Sequence, residues 1–171
     1  KQDLPSRMVA HQALLYGWGL AMGRWRLRRC TSVGSRPRTR GKPYVENFGR
    51  ISIGDNFFLN SQFVASHLAA GPGATIEIGD SVSVNFGTGI SADRSIRIGD
   101  RVRIGPYGII LDTDYHSVRD HAAEMPALPV VIGDDVWLAL RVTVLRGSSI
   151  GAGSVITAGS VVVGRIPEGV I

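Results

Sequence analysis

The sequence of 171 residues places an imidazole beside two carboxylates in one short stretch. Asp112, Asp114 and His116 lie at alternate positions, separated by Thr113 and Tyr115. A histidine with an ordinary pKa of about 6.5 can accept a proton at neutral pH, and an adjacent carboxylate can fix its tautomer. We therefore predict that His116 is a general base. A loop histidine with no chemical role is the alternative.

The elements that must position this stretch repeat with a period of six. Large aliphatic residues recur at that interval: Ile132, Leu138, Val144, Ile150, Ile156 and Val162. Neither the period of two of a strand nor the period of about 3.6 of a helix produces this spacing. Four residues after each aliphatic lies a small or β-branched residue: Val136, Val142, Ser148, Ser154, Ser160 and Ile166. A solenoid of hexapeptides, with three hexads in each triangular coil, accounts for both patterns. An ordinary β-sandwich would instead show irregular spacing and hairpin turns.

The tripeptide Ile-Gly-Asp marks one corner of successive coils. It begins at Ile53, Ile78, Ile98 and Ile132, so its intervals are 25, 20 and 34 residues. Three hexads take about 18 residues, so the last interval contains the largest insertion. We expect one long projecting loop at about residues 112–129, with His116 near its start. Loops of repeat proteins commonly carry the binding surface.

Positive charge is concentrated in the N-terminal part of the chain. Residues 1–50 contain eleven Lys and Arg against two acidic residues, whereas the remainder contains eight against twelve. A short helix is expected there, because apolar residues near helical spacing precede a cluster of arginines. These apolar residues are Met8, Leu15, Trp18, Met22 and Trp25, and the arginines are Arg24, Arg26, Arg28 and Arg29. Two interpretations stay open: a helix that covers the open end of the solenoid, or a basic amphipathic helix on an anionic membrane surface. We assign residues 1–45 to this basic helical and extended capping segment and residues 46–171 to the solenoid domain.

Composition also bears on partners and location. No recognised nucleic-acid-binding motif accompanies the basic residues, so we expect no nucleic acid. The single cysteine, Cys30, cannot form an internal disulfide, which favours a reducing cytoplasm. The apolar stretch at residues 13–23 is shorter than the roughly 20 residues of a membrane-spanning helix. We predict a cytoplasmic protein, associated with the inner face of the membrane if the basic segment binds lipid.

Several short motifs lie in residues 78–171. They are Asn85-Phe86, Ile98-Gly-Asp, Ile104-Gly, the loop histidine, Val136-Trp137, Ile150-Gly-Ala-Gly-Ser154, Ala158-Gly-Ser160 and Ile166-Pro167. With these motifs the stretch resembles the hexapeptide-repeat acyltransferases, and in particular the branch of sugar O-acetyltransferases and xenobiotic acetyltransferases. The resemblance implies an all-β protein with a left-handed parallel β-helix. It also implies a homotrimer with active sites between neighbouring subunits and acetyl-CoA as co-substrate.

The resemblance assigns roles to individual residues. His116 would take the proton from an acceptor hydroxyl or amine as that group attacks the thioester of acetyl-CoA. Asn85 and Asp93 would contact the acceptor, and Asp112 and Asp114 are expected to line the same site. The expected cofactor-binding residues are Trp137, Ala139, Ala158 and Arg165.

Several of these residues have structural alternatives. Asn85 could join a ladder of side chains between coils, and Asp93 could cap a turn near Ser95. Trp137 could pack as an outward aromatic under the long loop. Leu140 departs from the family pattern, because a bulky side chain lies near the expected cofactor groove.

These observations predict an acyl-CoA-dependent transferase that O-acetylates a sugar hydroxyl in polysaccharide or glycoconjugate biosynthesis. Transfer to the nitrogen of an amino sugar or a xenobiotic is one alternative, and a non-catalytic trimeric scaffold is another. The γ-type carbonic anhydrases share the fold and bind zinc through three histidines, two of them five residues apart, as His116 and His121 are. The later hexads contain no histidine, so we predict no metal.

Overall fold

The computed structural model describes residues 6–115 and 125–171, with the side chain of Ser6 excepted. These residues form one helix, α1 (Ser6–Arg26), and nineteen short strands. The strands are β1 (Ser32–Val33), β2 (Arg38–Gly41), β3 (Tyr44–Asn47), β4 (Arg50–Ile53), β5 (Phe58–Ser61), β6 (His67–Ala70), β7 (Thr75–Ile78), β8 (Ser83–Val84), β9 (Gly89–Ala92), β10 (Ser95–Ile98), β11 (Arg103–Ile104), β12 (Ile109–Leu111), β13 (Val130–Ile132), β14 (Trp137–Leu138), β15 (Thr143–Val144), β16 (Ser149–Ile150), β17 (Val155–Ile156), β18 (Val161–Val162) and β19 (Arg165–Ile166).

Every third strand pairs in parallel, which makes the chain a β-helix with three faces. Sheet A has the order β1-β4-β7-β10-β13-β16-β19, sheet B has β2-β5-β8-β11-β14-β17, and sheet C has β3-β6-β9-β12-β15-β18. The chain therefore passes through A, B and C in turn. We name the three corners A–B, B–C and C–A after the sheets that they join.

The interior of the prism contains the predicted hexad residues. All six aliphatic residues from Ile132 to Val162 are buried. The buried serines of the second column have hydrogen-bond partners, since Ser148 Oγ donates to Val162 O at 3.1 Å and Ser154 Oγ donates to Pro167 O at 2.8 Å. Ser160, in contrast, is only partly buried. The period of six therefore corresponds to the core, as the sequence predicted.

The β-helix begins upstream of the boundary that we placed at residue 46. Strands β2 and β3 already pair in parallel with β5 and β6, so residues 32–47 form the first coil. Val33, Thr39 and Val45 follow the period of six, and Thr39 is buried although it is polar. This threonine hides the repeat from a search for aliphatic residues. The long loop matches its predicted position, because β12 ends at Leu111 and β13 begins at Val130.

Helix α1 covers the free edge of the first coil at β2. Two glycines allow the close approach, since a Cβ on Gly23 would lie 2.0 Å from Pro37 O and a Cβ on Gly19 would lie 3.2 Å from Thr39 O. Arg26 adds hydrogen bonds from Nη1 to Thr39 O and Oγ1. The helix was predicted, but its predicted apolar face docks only in part. Leu15 and Met22 are half-buried, whereas Trp18 and Trp25 are exposed.

A ladder of aspartates holds the A–B corner. The Oδ1 atoms of Asp55, Asp80, Asp100 and Asp134 each accept a backbone N–H from the preceding coil, at 2.6 to 2.9 Å. The N–H of Ser35 lowers the pKa of Asp55 below its ordinary value. The Ile-Gly-Asp motif is explained by this geometry, because each aspartate lies directly over the glycine of the coil before it.

The ladder predicts that Gly99→Ala destabilises the protein. The added Cβ would lie 2.3 Å from Asp134 Oδ1 and 2.8 Å from its backbone N, so the corner must shift. We expect the free energy of unfolding to fall by about 1–3 kcal/mol in urea titrations. Gly89→Ala is the matched control, because no atom lies within 4 Å of its added Cβ. Its free energy of unfolding should change by less than about 0.5 kcal/mol. Equal losses in the two variants would contradict this account of the motif.

Candidate active site

Asp112 lies at the C–A corner and has its carboxylate inside the protein. The side chain is fully buried, and Oδ1 accepts the N–H of Asp93 at 2.8 Å. Oδ2 accepts the N–H groups of Arg94 and Ser95 at 2.8 and 2.7 Å. A carboxylate can satisfy three otherwise unpaired backbone donors in this way. Asp112 therefore anchors the start of the long loop to the preceding coil.

Asp114 is held by Arg146, one coil further on. Arg146 Nε donates to Asp114 Oδ2, and Arg146 Nη1 donates to Pro126 O at 3.3 Å. The returning end of the loop is also tied down, since Leu128 N donates to Asp112 O at 2.8 Å. Sequence reasoning missed this role of Arg146. The signal was available in the sequence. The interval of 34 residues that separates Ile98 from Ile132 also separates Asp112 from Arg146, so Arg146 lies in register with Asp112 and close to Asp114.

Tyr115 directly precedes the predicted base, His116. Its N–H donates to Thr113 Oγ1 at 3.0 Å, and its Oη lies 3.3 Å from Ser91 Oγ. Its φ of 60° is a left-handed conformation that is uncommon outside glycine. His116 follows directly but lies outside the described residues, as does His121. The assignment of His116 as general base therefore stays a prediction.

The acceptor residues predicted on the coils lie at two corners. Asp93 is exposed beside Asp112 at the C–A corner. Asn85 lies at the B–C corner, directly after β8. Its Oδ1 accepts Asn60 Nδ2 at 3.0 Å and the N–H of Phe86 at 2.9 Å. The structure thus shows the ladder that was the alternative for this asparagine.

The B–C corner also carries two of the predicted cofactor residues. Ala139 follows β14 and donates its N–H to Ile156 O at 2.9 Å. Ala158 follows β17 one coil later and is exposed. Leu140 is exposed between these two alanines, where Leu140 O accepts the N–H of Gly159. The small residues thus share one edge with the bulky residue that departs from the family pattern.

An aromatic ladder follows the same corner and was not predicted. Phe63 and Phe86 meet edge to face with centroids 5.4 Å apart, and Phe86 meets Tyr107 in the same way at 5.5 Å. The guanidinium of Arg141 lies 5.7 Å from the Tyr107 centroid. Phe63 lies in a short insertion after β5, so its position above Phe86 could not be read from the regular repeat. The ladder gives the B–C edge an apolar wall beside Asn85.

Trp137 and Arg165 lie on two different faces. Trp137 is half exposed on sheet B, where it pairs with Arg103. It lines an open cleft of about 490 Å³ with Ser81, Arg101, Arg103, Asp135 and Val136. A side-chain hydrogen bond from Arg101 lowers the pKa of Asp135 in this cleft. Arg165 lies on sheet A, in a hollow of about 360 Å³ beside Ser149 and Glu168. These two predicted cofactor residues are therefore not brought together in one protomer.

One protomer thus presents two separate groups of candidate residues. Asp93, Asp112 and Asp114 are gathered at the C–A corner, where the long loop begins. Asn85 and Ala139 lie at the B–C corner, at the far side of sheet C.

The described part of the chain has no clustered metal ligands and one thiol. No group of three or more His, Cys, Asp or Glu side chains there is placed to hold a metal ion. His67 packs against Tyr44 on sheet C, with ring centroids 5.4 Å apart. Burial raises the pKa of the Cys30 thiol to about 12, so almost none of it is thiolate at neutral pH.

Among the described residues, no helix combines the length and the apolarity needed to cross a bilayer.

Comparison with known proteins relates the chain to acetyltransferases. No protein-family model matches it. It is 33% identical over 123 residues to the galactoside O-acetyltransferase of Escherichia coli (strain K12), covering 70% of this chain and 58% of the relative. It is 36% identical over 140 residues to a protein of the same strain provisionally named as the lipopolysaccharide biosynthesis O-acetyl transferase WbbJ, covering 75% and 69%. The chain thus spans 58% to 69% of the length of these two relatives.

Solved structures show the same fold. A galactoside acetyltransferase in complex with coenzyme A superposes with a TM-score of 0.56 at 26% identity, over 97% of this chain and 66% of that one. A hexapeptide-repeat containing acetyltransferase of Vibrio cholerae, complexed with acetyl coenzyme A, superposes with a TM-score of 0.55 at 27% identity, over 96% and 83%. The expected left-handed parallel β-helix is confirmed. The chain belongs to the hexapeptide-repeat acetyltransferase family.

Proposed function

We propose that this protein transfers the acetyl group of acetyl-CoA to a hydroxyl of a sugar, in the assembly of a polysaccharide or glycoconjugate. The observation that carries the proposal is the anchored start of the long loop. Asp112 and the Asp114–Arg146 pair hold the residues before His116 against the C–A corner. The similarity to O-acetyl transferases named for galactoside and lipopolysaccharide chemistry supports a sugar acceptor. The single unpaired cysteine, Cys30, favours a reducing compartment, so we place the reaction in the cytoplasm.

In the proposed reaction, His116 removes the proton of the acceptor hydroxyl as its oxygen attacks the thioester carbonyl. The new carbon–oxygen bond forms, the carbon–sulfur bond breaks, and the proton passes from the imidazolium to the leaving thiolate of CoA. General-base catalysis of this kind contributes about 10²–10⁴-fold to the rate. A backbone N–H of a coil would stabilise the oxyanion.

We also propose that the active protein is a homotrimer with its sites between subunits. The C–A corner of one copy would provide the loop with His116. The B–C corner of its neighbour would provide Asn85 and the edge of Ala139 and Ala158, along which the cofactor would lie. Closed cyclic assemblies of this kind repeat one heterologous interface around the axis. Trp137 and Arg165 remain candidates for CoA contacts on the outer faces.

The first test replaces the base. His116→Ala should lower acetyl transfer to a panel of sugars and amino sugars by about 10²–10⁴-fold, because the attacking hydroxyl keeps its proton. Coenzyme A should still raise the melting temperature of this variant, as a ligand of the folded state does. His67→Ala is the control, because His67 lies on sheet C beside Tyr44.

The outcomes of this test separate the alternatives. Wild-type transfer by His116→Ala would disprove the assigned base. Preference for amino sugars would favour N-acetylation. Failure of coenzyme A to raise the melting temperature of the wild type would favour a scaffold, and stoichiometric zinc would favour the anhydrase-like class.

The second test uses mixed trimers. Ala139→Trp should inactivate the protein by filling the cofactor edge, and His116→Ala by removing the base. Co-expression of the two inactive chains should restore about a quarter of the wild-type activity, since random assembly pairs an intact base with an intact edge at that frequency. If each site lay within one protomer, the mixture would be as inactive as its parents.

The third test concerns the anchor of the loop. Asp112→Asn replaces one acceptor oxygen by a donor that faces backbone N–H groups. We therefore expect the free energy of unfolding, measured in urea titrations, to fall by about 1–3 kcal/mol. Asp114→Asn is matched in chemistry but affects a more exposed pair, and it should cost at most about 1 kcal/mol. Equal costs would show that the three hydrogen bonds to Asp112 do not hold the corner.

A further inference from the structure

Helix α1 leaves one apolar side uncovered by the β-helix. Leu14, Trp18 and Trp25 are 71%, 60% and 53% exposed. Their spacing of four and seven residues places them on one side of a helix, at an angle to the docking face of Gly19 and Gly23. Exposed apolar residues that lie together on one side of a docked helix are a candidate binding surface. We call these three residues the apolar stripe.

A basic hollow adjoins the end of the apolar stripe. It has a volume of about 280 Å³ and is lined by Trp25, Arg26, Arg28, Arg29, Lys42, Pro43, Tyr44 and Val45. Trp25 belongs to both features, and the guanidinium of Arg28 lies 4.7 Å from the centre of its ring. Apolar and cationic groups are thus contiguous on one surface.

Positive charge is in large excess in this region, where Asp55 interacts electrostatically with Arg24 and Arg36. Residues 6–45 contain nine Lys and Arg and no Asp or Glu. The ion pairs found among the described residues are made by Arg101 and Arg146, which lie far along the chain. Arginines near the hollow donate instead to backbone carbonyls, as Arg29 does to Val45 O. Such a surface is complementary to a partner with many negative charges and an apolar interior.

We propose that the apolar stripe and the basic hollow bind an anionic lipid bilayer. The tryptophans and Leu14 enter the boundary between headgroups and acyl chains, as the apolar side of an interfacial helix does. Arg28, Arg29 and Lys42 face the lipid phosphates, where a guanidinium or ammonium replaces bound counterions. The glycine contacts of α1 with β2 hold the surface in place. None of the residues of this surface is among those proposed for acetyl transfer.

The test is flotation with lipid vesicles. Wild-type protein should float with vesicles of phosphatidylcholine that contain about one third phosphatidylglycerol, and not with phosphatidylcholine alone. Raising the salt from about 0.1 to about 0.5 M should release much of it, because the electrostatic attraction is screened. The double variant Leu14→Ser with Trp18→Ser, and the double variant Arg28→Gln with Lys42→Gln, should each lower vesicle binding by about 10–100-fold.

Matched controls lie outside this surface. Val161→Ser removes an exposed apolar side chain from sheet C, and Arg97→Gln removes an exposed charge from sheet A. Both should bind vesicles as the wild type does. Unchanged circular dichroism and melting temperature of the stripe and hollow variants establish that each is folded, since the replaced side chains are solvent-exposed.

Three results would overturn the proposal. Equal flotation with both kinds of vesicle, or with neither, would show that the protein does not bind through the charge of the lipid. Loss of self-association in the stripe variant, without vesicle binding by the wild type, would make the stripe a contact between copies of this chain. Binding of inorganic phosphate at the hollow, with vesicle binding unaffected by Arg28→Gln and Lys42→Gln, would assign the hollow to a soluble anion.

Discussion

Each coil of this protein is bonded to the next through parallel backbone hydrogen bonds, and those bonds determine which residues can lie above one another. The register brings Ile98 beside Ile132 in sheet A and Ile104 beside Leu138 in sheet B. A column of inward side chains is possible only if every coil keeps the same length inside the prism. Extra residues must therefore leave at a corner, and the C–A corner is where the long insertion lies. The position of the candidate chemistry follows from this constraint.

The three corners solve the same problem of unpaired backbone groups in different ways. The A–B corner uses a repeated aspartate, whose Oδ1 accepts an N–H of the coil before it. The C–A corner concentrates three such hydrogen bonds on the single buried carboxylate of Asp112. The B–C corner is lined instead by the asparagine pair Asn60–Asn85 and by aromatic rings that meet edge to face. The first two corners are held by carboxylates, and the third is the edge along which we propose that the cofactor lies.

Much of the fold could be predicted from the sequence, because inward-facing side chains recur every six residues and produce that period directly. The prediction was incomplete where a polar residue occupies an inward position, as Thr39 does in the first coil. It was also incomplete for α1, because apolar spacing does not show that a helix docks through glycines such as Gly19 and Gly23. Contacts between coils were harder still. The pairing of Arg146 with Asp114 becomes visible only when the insertion is counted into the register, and the role of His116 rests on sequence and resemblance.

The aspartate ladder has a consequence for how such a chain can change in length. Each aspartate bonds to the coil before it and lies over the glycine of that coil. The first three Ile-Gly-Asp motifs also donate the N–H of their aspartate to the next aspartate, so each of them is a donor to one neighbour and an acceptor for the other. A segment from one Ile-Gly-Asp to the next is consequently a complete unit with matching ends. Gain or loss of such a whole unit would leave the ladder unbroken, whereas gain or loss of part of one would leave a corner without its partner.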